Sequence, residues 1–344
     1  MDQKKPTRPR LIDVAKLAGV GTATVDRVLN ERGNVSEEVR LKVIEAARSV
    51  GLRRQLPPSY RPRIRINLIL ARPDLPLLEK MASEFRNIAK SIDRRVGLQI
   101  TTLVDEKPQS IATALKVTDC DAVIVYAQNN SIIRDAIAEL EQRDIPVVTI
   151  ISDLHDSKRL AYAGTDHYAS GRTAGYFIEQ MRPKGGHVAV LCNHLGFESH
   201  ARRIAGLRDY LDERAPHLSI SHIIEGADDR VRSHALLSAA FEEDPKISAV
   251  YNTGAANLGV RAALEAIDSF DLPLFVGHEL TIHTTRLLRE GLMTLAIDQN
   301  PRLQAQFAFD ILLDHFGFEN IPIKRPYVSD VPIILYGPEN IPPS

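Results

Sequence analysis

Apolar positions in the first fifty residues recur at helical spacing. Leu11–Val20 reads as a short amphipathic helix stopped at a glycine, and Gly21–Asn30 as a second. In the second, Val25, Val28 and Leu29 share one face at i, i+3 and i+4, which leaves Thr22, Ala23, Asp26, Arg27 and Asn30 facing out. A third helix is predicted over about residues 36–50. Ser36 is its N-cap, Glu37 and Glu38 lie at its positive end, and Val39, Val43, Ala46, Ala47 and Val50 form its stripe. Three such helices can close one small core.

From Ile64 the period changes. Strand-like runs at Ile64–Leu70, Leu98–Val104, Ala122–Tyr126, Pro146–Ile151, His187–Cys192, Leu218–Ile224, Ala249–Tyr251, Leu274–Val276 and Leu292–Ile297 alternate with amphipathic stretches. The stretches include Leu78–Ile92, Ile132–Gln142, Ala169–Met181, Ala201–Glu213 and Asn257–Asp268. This alternation predicts parallel sheets covered by helices on both faces, with ligands bound at the carboxyl ends of the strands. Nearly 280 residues of it exceed one compact sheet, so two lobes with a cleft between them are expected. The fold class is therefore an all-α helix-turn-helix head on an α/β body of two parallel-sheet lobes. The domains are 1–52, a linker over 53–63, and 64–344.

Charge assigns the head a partner. Up to Arg63 there are 14 Lys/Arg against 7 Asp/Glu, whereas the remainder carries 29 against 37. A basic head on an acidic body points to phosphate, and the glycine turn lets the second helix cross the first steeply enough to enter a major groove. Composition is that of a globular protein, 44% hydrophobic and 25% charged. No apolar run is long enough to span a bilayer, and Met1–Arg10 is polar and basic with no apolar core, so a cytoplasmic protein without a membrane partner is expected. Cys120 and Cys192, both in strand-like regions, are expected to be buried free thiols.

The constellations of an enzyme are missing. Gly19-Val20-Gly21 lacks the third glycine of a dinucleotide fingerprint and follows a helix instead of a strand. His278-Glu279-Leu280-Thr281-Ile282-His283 would need its second histidine at 282 to hold zinc. Cys192 and His194 form no complete ligand set. No enzymatic activity, no metal and no cofactor are expected.

The run Ile12-Asp13-Val14-Ala15, Ala18-Gly19-Val20, Thr24-Val25-Asp26-Arg27-Val28-Leu29-Asn30, Val35-Ser36, Arg40, Val43, Ala46-Ala47 closely resembles the N-terminus of the LacI/GalR family of bacterial repressors. The resemblance implies that Thr22 and Ala23 read bases and that Arg27 reads a base edge or positions the helix. It places Thr24 near the phosphate backbone, with Asn30 on the same outward face. The family usually has Ser where this chain has Asp26, and a carboxylate beside phosphate costs affinity unless a cation compensates it. In that family the joint after the head forms a short helix on operator DNA, with an apolar wedge in the minor groove. Leu56 is the candidate wedge here, but Pro57, Pro58 and Pro62 equally favour a stiff extended linker.

The body resembles the type 1 periplasmic-binding-protein fold that the family carries, which implies crossings between lobes near 166, 299 and 325. Arg203, three before Gly206, matches the family's ligand arginine, and a guanidinium fork suits ring hydroxyls or a carboxylate. Asn252, Glu279 and Gln299 match further ligand positions, although Glu279 stands where Asp is common. On the first lobe Asp74 follows the first strand, and Gln128 and Asn129 follow the strand ending at Tyr126. Asp166 reads as a cap or crossover residue, Asp298 and Asn300 as caps before Pro301, and Phe197 and Tyr251 as either stacking surfaces or core.

The sequence thus implies a transcriptional regulator, a repressor by resemblance, acting as a homodimer on double-stranded operator DNA. A small polar effector, a sugar or polyol, would bind between its lobes. The alternatives are a regulator that uses a corepressor such as a purine, and a solute-binding protein with a vestigial head.

Overall fold

The computed structural model describes residues 10–52, 63–93, 95–268, 271–318, 321–329 and 331–343. Leu56 and the proline-rich joint lie outside the described residues. The chain divides into two compact units, residues 1–64 with 310–323 and residues 65–309 with 324–344.

The first three helices are α1 (Leu11–Ala18), α2 (Thr22–Leu29) and α3 (Glu37–Ser49). At the start of α1 the Asp13 carboxylate accepts from Arg10 N–H at 2.9 Å, and the helix ends at Gly19 with φ +67°, the left-handed region in which glycine escapes the Cβ penalty. Ser36 Oγ accepts from Val39 N–H at 3.5 Å, a long contact at the start of α3. Val14, Val25, Val28, Leu29, Val43, Ile44 and Ala47 meet in one buried cluster, with Val39 and Val50 packed at its edge. Small aliphatic residues at i, i+3 and i+4 of each helix are what allow helices this short to share a core.

The body begins with β1 (Ile64–Ala71), α4 (Pro76–Ala89), β2 (Val96–Leu103), α5 (Pro108–Lys116), β3 (Ala122–Val125), α6 (Ser131–Gln142), β4 (Val147–Ile150) and β5 (Ala161–Ala163). These build a five-stranded sheet in the order β2-β1-β3-β4-β5, with parallel pairing along β1-β3-β4-β5. Its central strands β1, β3 and β4 are apolar on both faces, because α5 and α6 cover one side while Met81, Phe85 and Ile88 of α4 are buried, whereas the edge strand β2 is half-exposed.

The second lobe runs α7 (His167–Met181), β6 (Gly186–Cys192), α8 (Glu198–Arg214), β7 (Leu218–Glu225), α9 (Arg230–Glu243), β8 (Ile247–Asn252), α10 (Asn257–Glu265), β9 (Leu274–His278), α11 (Ile282–Arg289) and β10 (Leu295–Asp298). It is followed by α12 (Pro301–His315) and β11 (Ile334–Tyr336). Its sheet order is β11-β10-β9-β8-β6-β7, parallel except for β11 against β10. Separate apolar clusters fill its two faces, one under α7 and α8 and the other under α9, α10 and α11.

The chain leaves the first sheet after β5, leaves the second after β10, and returns before β11. The first and last of these passages touch, since Thr165 bridges Val331 and Gly164 N–H donates to Ser329 Oγ at 3.0 Å. Between them, Gln304 of α12 accepts from Ile151 N–H at 3.1 Å and Phe309 packs on Phe85 at 5.3 Å.

Several expected boundaries move. The strand expected from Leu292 starts at Leu295, because Gly291 takes φ +74° and Leu292 closes the turn after α11. Cys120 lies two residues ahead of β3, although it and Cys192 are both buried free thiols. Asp166 caps α7 by accepting from Ala169 N–H at 3.0 Å. Phe197 and Tyr251 are core: one stacks on Tyr126 at 5.1 Å, and the hydroxyl of the other meets His278 at 2.8 Å.

Candidate functional site

On α2 the apolar residues turn inward and Thr22, Ala23, Arg27 and Asn30 are exposed, while Thr24 is half-buried at the edge of that face. Arg27 makes no ion pair among the described residues. Asn30 is occupied differently from a free reading group. It ends α2, and its amide donates to Asp26 carbonyl at 3.0 Å and to Asp26 carboxylate at 2.9 Å. Asp26 is therefore held by a neutral amide and not by Arg27.

In the body, the carboxyl ends of the parallel strands converge on two adjoining cavities. The outer one, about 280 Å³, is lined by Arg72 and Asp74 after β1, Leu75–Leu77 at the start of α4, Asp228–Arg230 after β7, Ala255–Leu258 after β8, and Glu279, Thr281 and His283 after β9. The inner one, about 40 Å³, is lined among others by Tyr126, Ser199, His200, Arg203, Thr253, His278, Glu279 and Gln299. Leu75, Leu77, Asp228, Ala255 and Glu279 line both.

Backbone strain marks the same rim. Arg72, Ile151, Ala227, Asp228, Glu279 and Asn300 all have φ between +49° and +70° without being glycine, which is an unfavourable conformation, and most of all for a β-branched residue. Each sits at a strand's carboxyl end or in a loop after one, and Arg72, Ile151, Asp228 and Glu279 line the cavities.

The inner chamber is electrostatically unusual. Arg203 is 3% exposed; its Nη1 donates to Thr253 carbonyl at 2.6 Å, while Nε and Nη2 have no partner among the described residues. Glu279 is also buried, with Oε1 accepting from Gln299 Nε2 at 2.6 Å and Oε2 unpartnered. Burial, reinforced by Asp298, pushes its carboxyl up to about 8, so it is largely protonated at neutral pH. Burial and the nearby Arg203 lower His200 to about 3 and hold His278 and His167 well below the ordinary imidazole value, so all three stay neutral. Half-buried Asp228 is pushed up to about 6 by lost hydration, and it accepts from Ala255 N–H at 2.7 Å. Among the described residues no group of three His, Cys, Asp or Glu side chains is placed to hold a metal ion.

Residues 10–55 match the bacterial regulatory proteins of the lacI family, and residues 77–320 match the periplasmic binding protein domain. The chain belongs to the lacI family of bacterial regulatory proteins. It is 26% identical over 218 residues to a sucrose operon repressor of Pediococcus pentosaceus, covering 61% of this chain and 64% of that protein. It is 25% identical over 247 residues to a ribose operon repressor of Halalkalibacterium halodurans, covering 70% of each. The chain thus spans just under two thirds of the first relative's length. The body superposes on GanP, a glucose-galactose binding protein from Geobacillus stearothermophilus, at 21% identity and TM-score 0.71, covering 80% of this chain and 99% of that one, a likeness of fold.

Of the effector residues expected in this lacI-family chain, Arg203, Glu279 and Gln299 meet in the inner chamber, and Asp74 lines the outer cavity paired with Arg72. Asn252 does not join them. Its amide donates to Gly254 carbonyl and Asn257 Oδ1 and its oxygen accepts from Gly254 N–H, so it fixes the loop that carries Thr253. Gln128 donates to Glu106 carbonyl, and Asn129 accepts from Arg134 and donates its backbone N–H to Gly196 carbonyl; neither lines these cavities. Sequence reasoning missed Arg72, His200, Asp228, Thr253 and His278. Arg72 and Thr253 directly follow strands and His278 ends one, which was the available signal; His200 within α8 and Asp228 three residues beyond β7 carried none.

The two lobes touch around the cavities. Arg72 Nη1 donates to Ala227 carbonyl at 3.5 Å and Lys80 Nζ lies 3.5 Å from Asp298. Asn193 donates to Glu106 at 3.1 Å, and Ser199 N–H donates to Ser152 Oγ at 3.2 Å.

Proposed function

We propose that this protein is a DNA-binding transcriptional repressor whose operator affinity is set by a small polar, sugar-like effector held between the two lobes. The carrying observation is the exposed row Thr22, Ala23 and Arg27 on a helix whose opposite face closes the head's core. That is the arrangement of a helix able to lie in a major groove. The net positive charge up to Arg63 supports phosphate contact, and relatives named as sucrose and ribose operon repressors support the regulatory reading. In this reading residues 1–52 read DNA, 53–63 link, and 64–344 bind effector and dimerise, with two heads on half-sites of a pseudo-palindrome. An effector acts by binding one lobe arrangement more tightly than another, which couples its site to DNA affinity.

Selection of bound fragments from genomic DNA with the full chain, followed by footprinting, tests the DNA half of this proposal. Enrichment of one pseudo-palindromic site, lost in Arg27→Ala with the fold intact, is expected. Uniform binding to all fragments would overturn it. A sugar-dependent change of footprint tests the effector half.

A further inference from the structure

We infer that the effector is a sugar acid, whose carboxylate enters the inner chamber on Arg203 while its hydroxylated skeleton fills the outer cavity. This rests on the effector reading above and names its chemical class.

Arg203 is the first ground. A guanidinium this deeply buried is costly unless an anion and hydrogen bonds compensate it. No carboxylate of the described residues lies within 4.0 Å of it, and its one hydrogen bond, from Nη1, goes to a neutral carbonyl. The unpartnered Nε and Nη2 are the two nitrogens of one edge of the fork, the edge that binds a carboxylate through two parallel hydrogen bonds.

The surrounding acids are the second ground, because each is already engaged or neutralised. Asp298 accepts from Leu280 N–H and lies beside Lys80. Asp228 accepts from Ala255 N–H, and Asp74 is paired with Arg72. Glu279, protonated near neutrality, offers its free oxygen as a donor. With Ser199 and the neutral His200 and His278 also on the wall, the unsatisfied atoms of the chamber call for acceptors on the ligand.

Size is the third ground. The inner cavity, about 40 Å³, exceeds the roughly 10–15 Å³ needed to hold one water and is a small fraction of the outer one. It suits a terminal group of the ligand and not its whole skeleton. The outer cavity of about 280 Å³ has the room for the remaining carbons.

Isothermal titration of the full chain at pH 7 decides this with matched probes. These are D-gluconate against sorbitol, D-glucuronate against D-glucose, D-galactonate and D-galacturonate against D-galactose, and D-glucose 6-phosphate. At least one acid should bind about 100-fold more tightly than its neutral partner, the size expected of a buried charge-assisted pair. Arg203→Lys keeps the charge but loses the fork, and should weaken that acid at least about tenfold. Lys184→Ala, an exposed position that lines neither cavity, is the control and should keep acid binding within about twofold. Circular dichroism of both variants verifies the fold. Neutral sugars or the phosphate binding as tightly as the acids, or undiminished acid binding in Arg203→Lys, would overturn the inference and leave the effector reading standing. Binding by nothing in the set would overturn both.

Discussion

Gly171 lies against the backbone of Arg203: a Cβ built on Gly171 would fall 1.9 Å from the Arg203 carbonyl oxygen. The contact is reciprocated one turn away, where a Cβ on Gly206 would fall 2.1 Å from Tyr168 carbonyl. Two glycines thus set how closely α7 and α8 approach, and that approach sets where the Arg203 side chain starts.

Gly171→Ala must therefore push the helices apart, because the clashing atom is backbone and cannot rotate away. A loss of about 1–3 kcal/mol is expected from overpacking of this kind, read as a lower urea midpoint of the full chain. Effector binding should weaken as well, since Arg203 moves with α8. An unchanged midpoint would show that α7 and α8 separate freely.

Glu279 gives stability a pH dependence of stated sign. Its folded pKa, about 8, lies above the ordinary carboxyl value of 4.5, so the native state binds more protons than the unfolded state between those values. This stabilisation is complete below about pH 4.5 and is lost as pH rises through 8. Glu279→Gln, which stays neutral, should match wild type near pH 5 and exceed it at pH 8.5. Chemical denaturation at the two pH values checks the crossing, and parallel curves would exclude it.

His200 acts in the opposite direction. Its imidazole is lowered to about 3 by burial and by Arg203, so the unfolded state binds the proton first as pH falls below 6.5. Stability present above 6.5 is lost as pH drops toward 3. His200→Gln should flatten this acid limb while leaving the midpoint at pH 7.5 less affected. Acid titration followed by circular dichroism measures it.

These buried groups also show where sequence was sufficient and where it was not. The head was legible because Val25, Val28 and Leu29 recur at the helical period and the turn carries Gly19, so local spacing alone specifies the core. The long strands were legible for the same reason. β5 and β11 were not: each has three residues, too few to display a period. In the site, Arg203, Glu279 and Gln299 were found by resemblance to ligand positions of the family, Arg203 through its spacing from Gly206. Asn252 shares such a position yet turns into its own loop, and Asp228 carries no spacing signal, because side-chain direction past a strand end depends on backbone angles such as its φ of +49°.

Asp26 lies half-buried beside the exposed row of α2 proposed to meet DNA, held by Asn30 and, among the described residues, by no cation. Asp26→Asn removes a negative charge beside the phosphates and should raise operator affinity several-fold, with a larger gain at 50 mM than at 200 mM salt because of screening. Fluorescence anisotropy at the two salt concentrations measures this. A loss of affinity would mean that the carboxylate accepts from a base, as from a cytosine amino group.

Lys80 tests whether lobe contacts outside the chamber contribute to effector affinity. Its Nζ reaches from α4 to Leu280 carbonyl at 3.3 Å and to the buried carboxylate of Asp298 at 3.5 Å, joining the two lobes beside Gln299. It lines neither cavity, so replacing it leaves every chamber contact in place. The amine is partly exposed, which limits the pair to roughly 0.2–1 kcal/mol, a change of up to about fivefold. Lys80→Met should thus raise the apparent effector Kd by two- to fivefold at low salt, and by less in 0.5 M salt as screening weakens the contact in wild type. Arg203→Lys, by contrast, should reduce binding at both salt concentrations. Equal salt dependence for the two variants would place Lys80 in the ligand's own field instead of on the lobe contact.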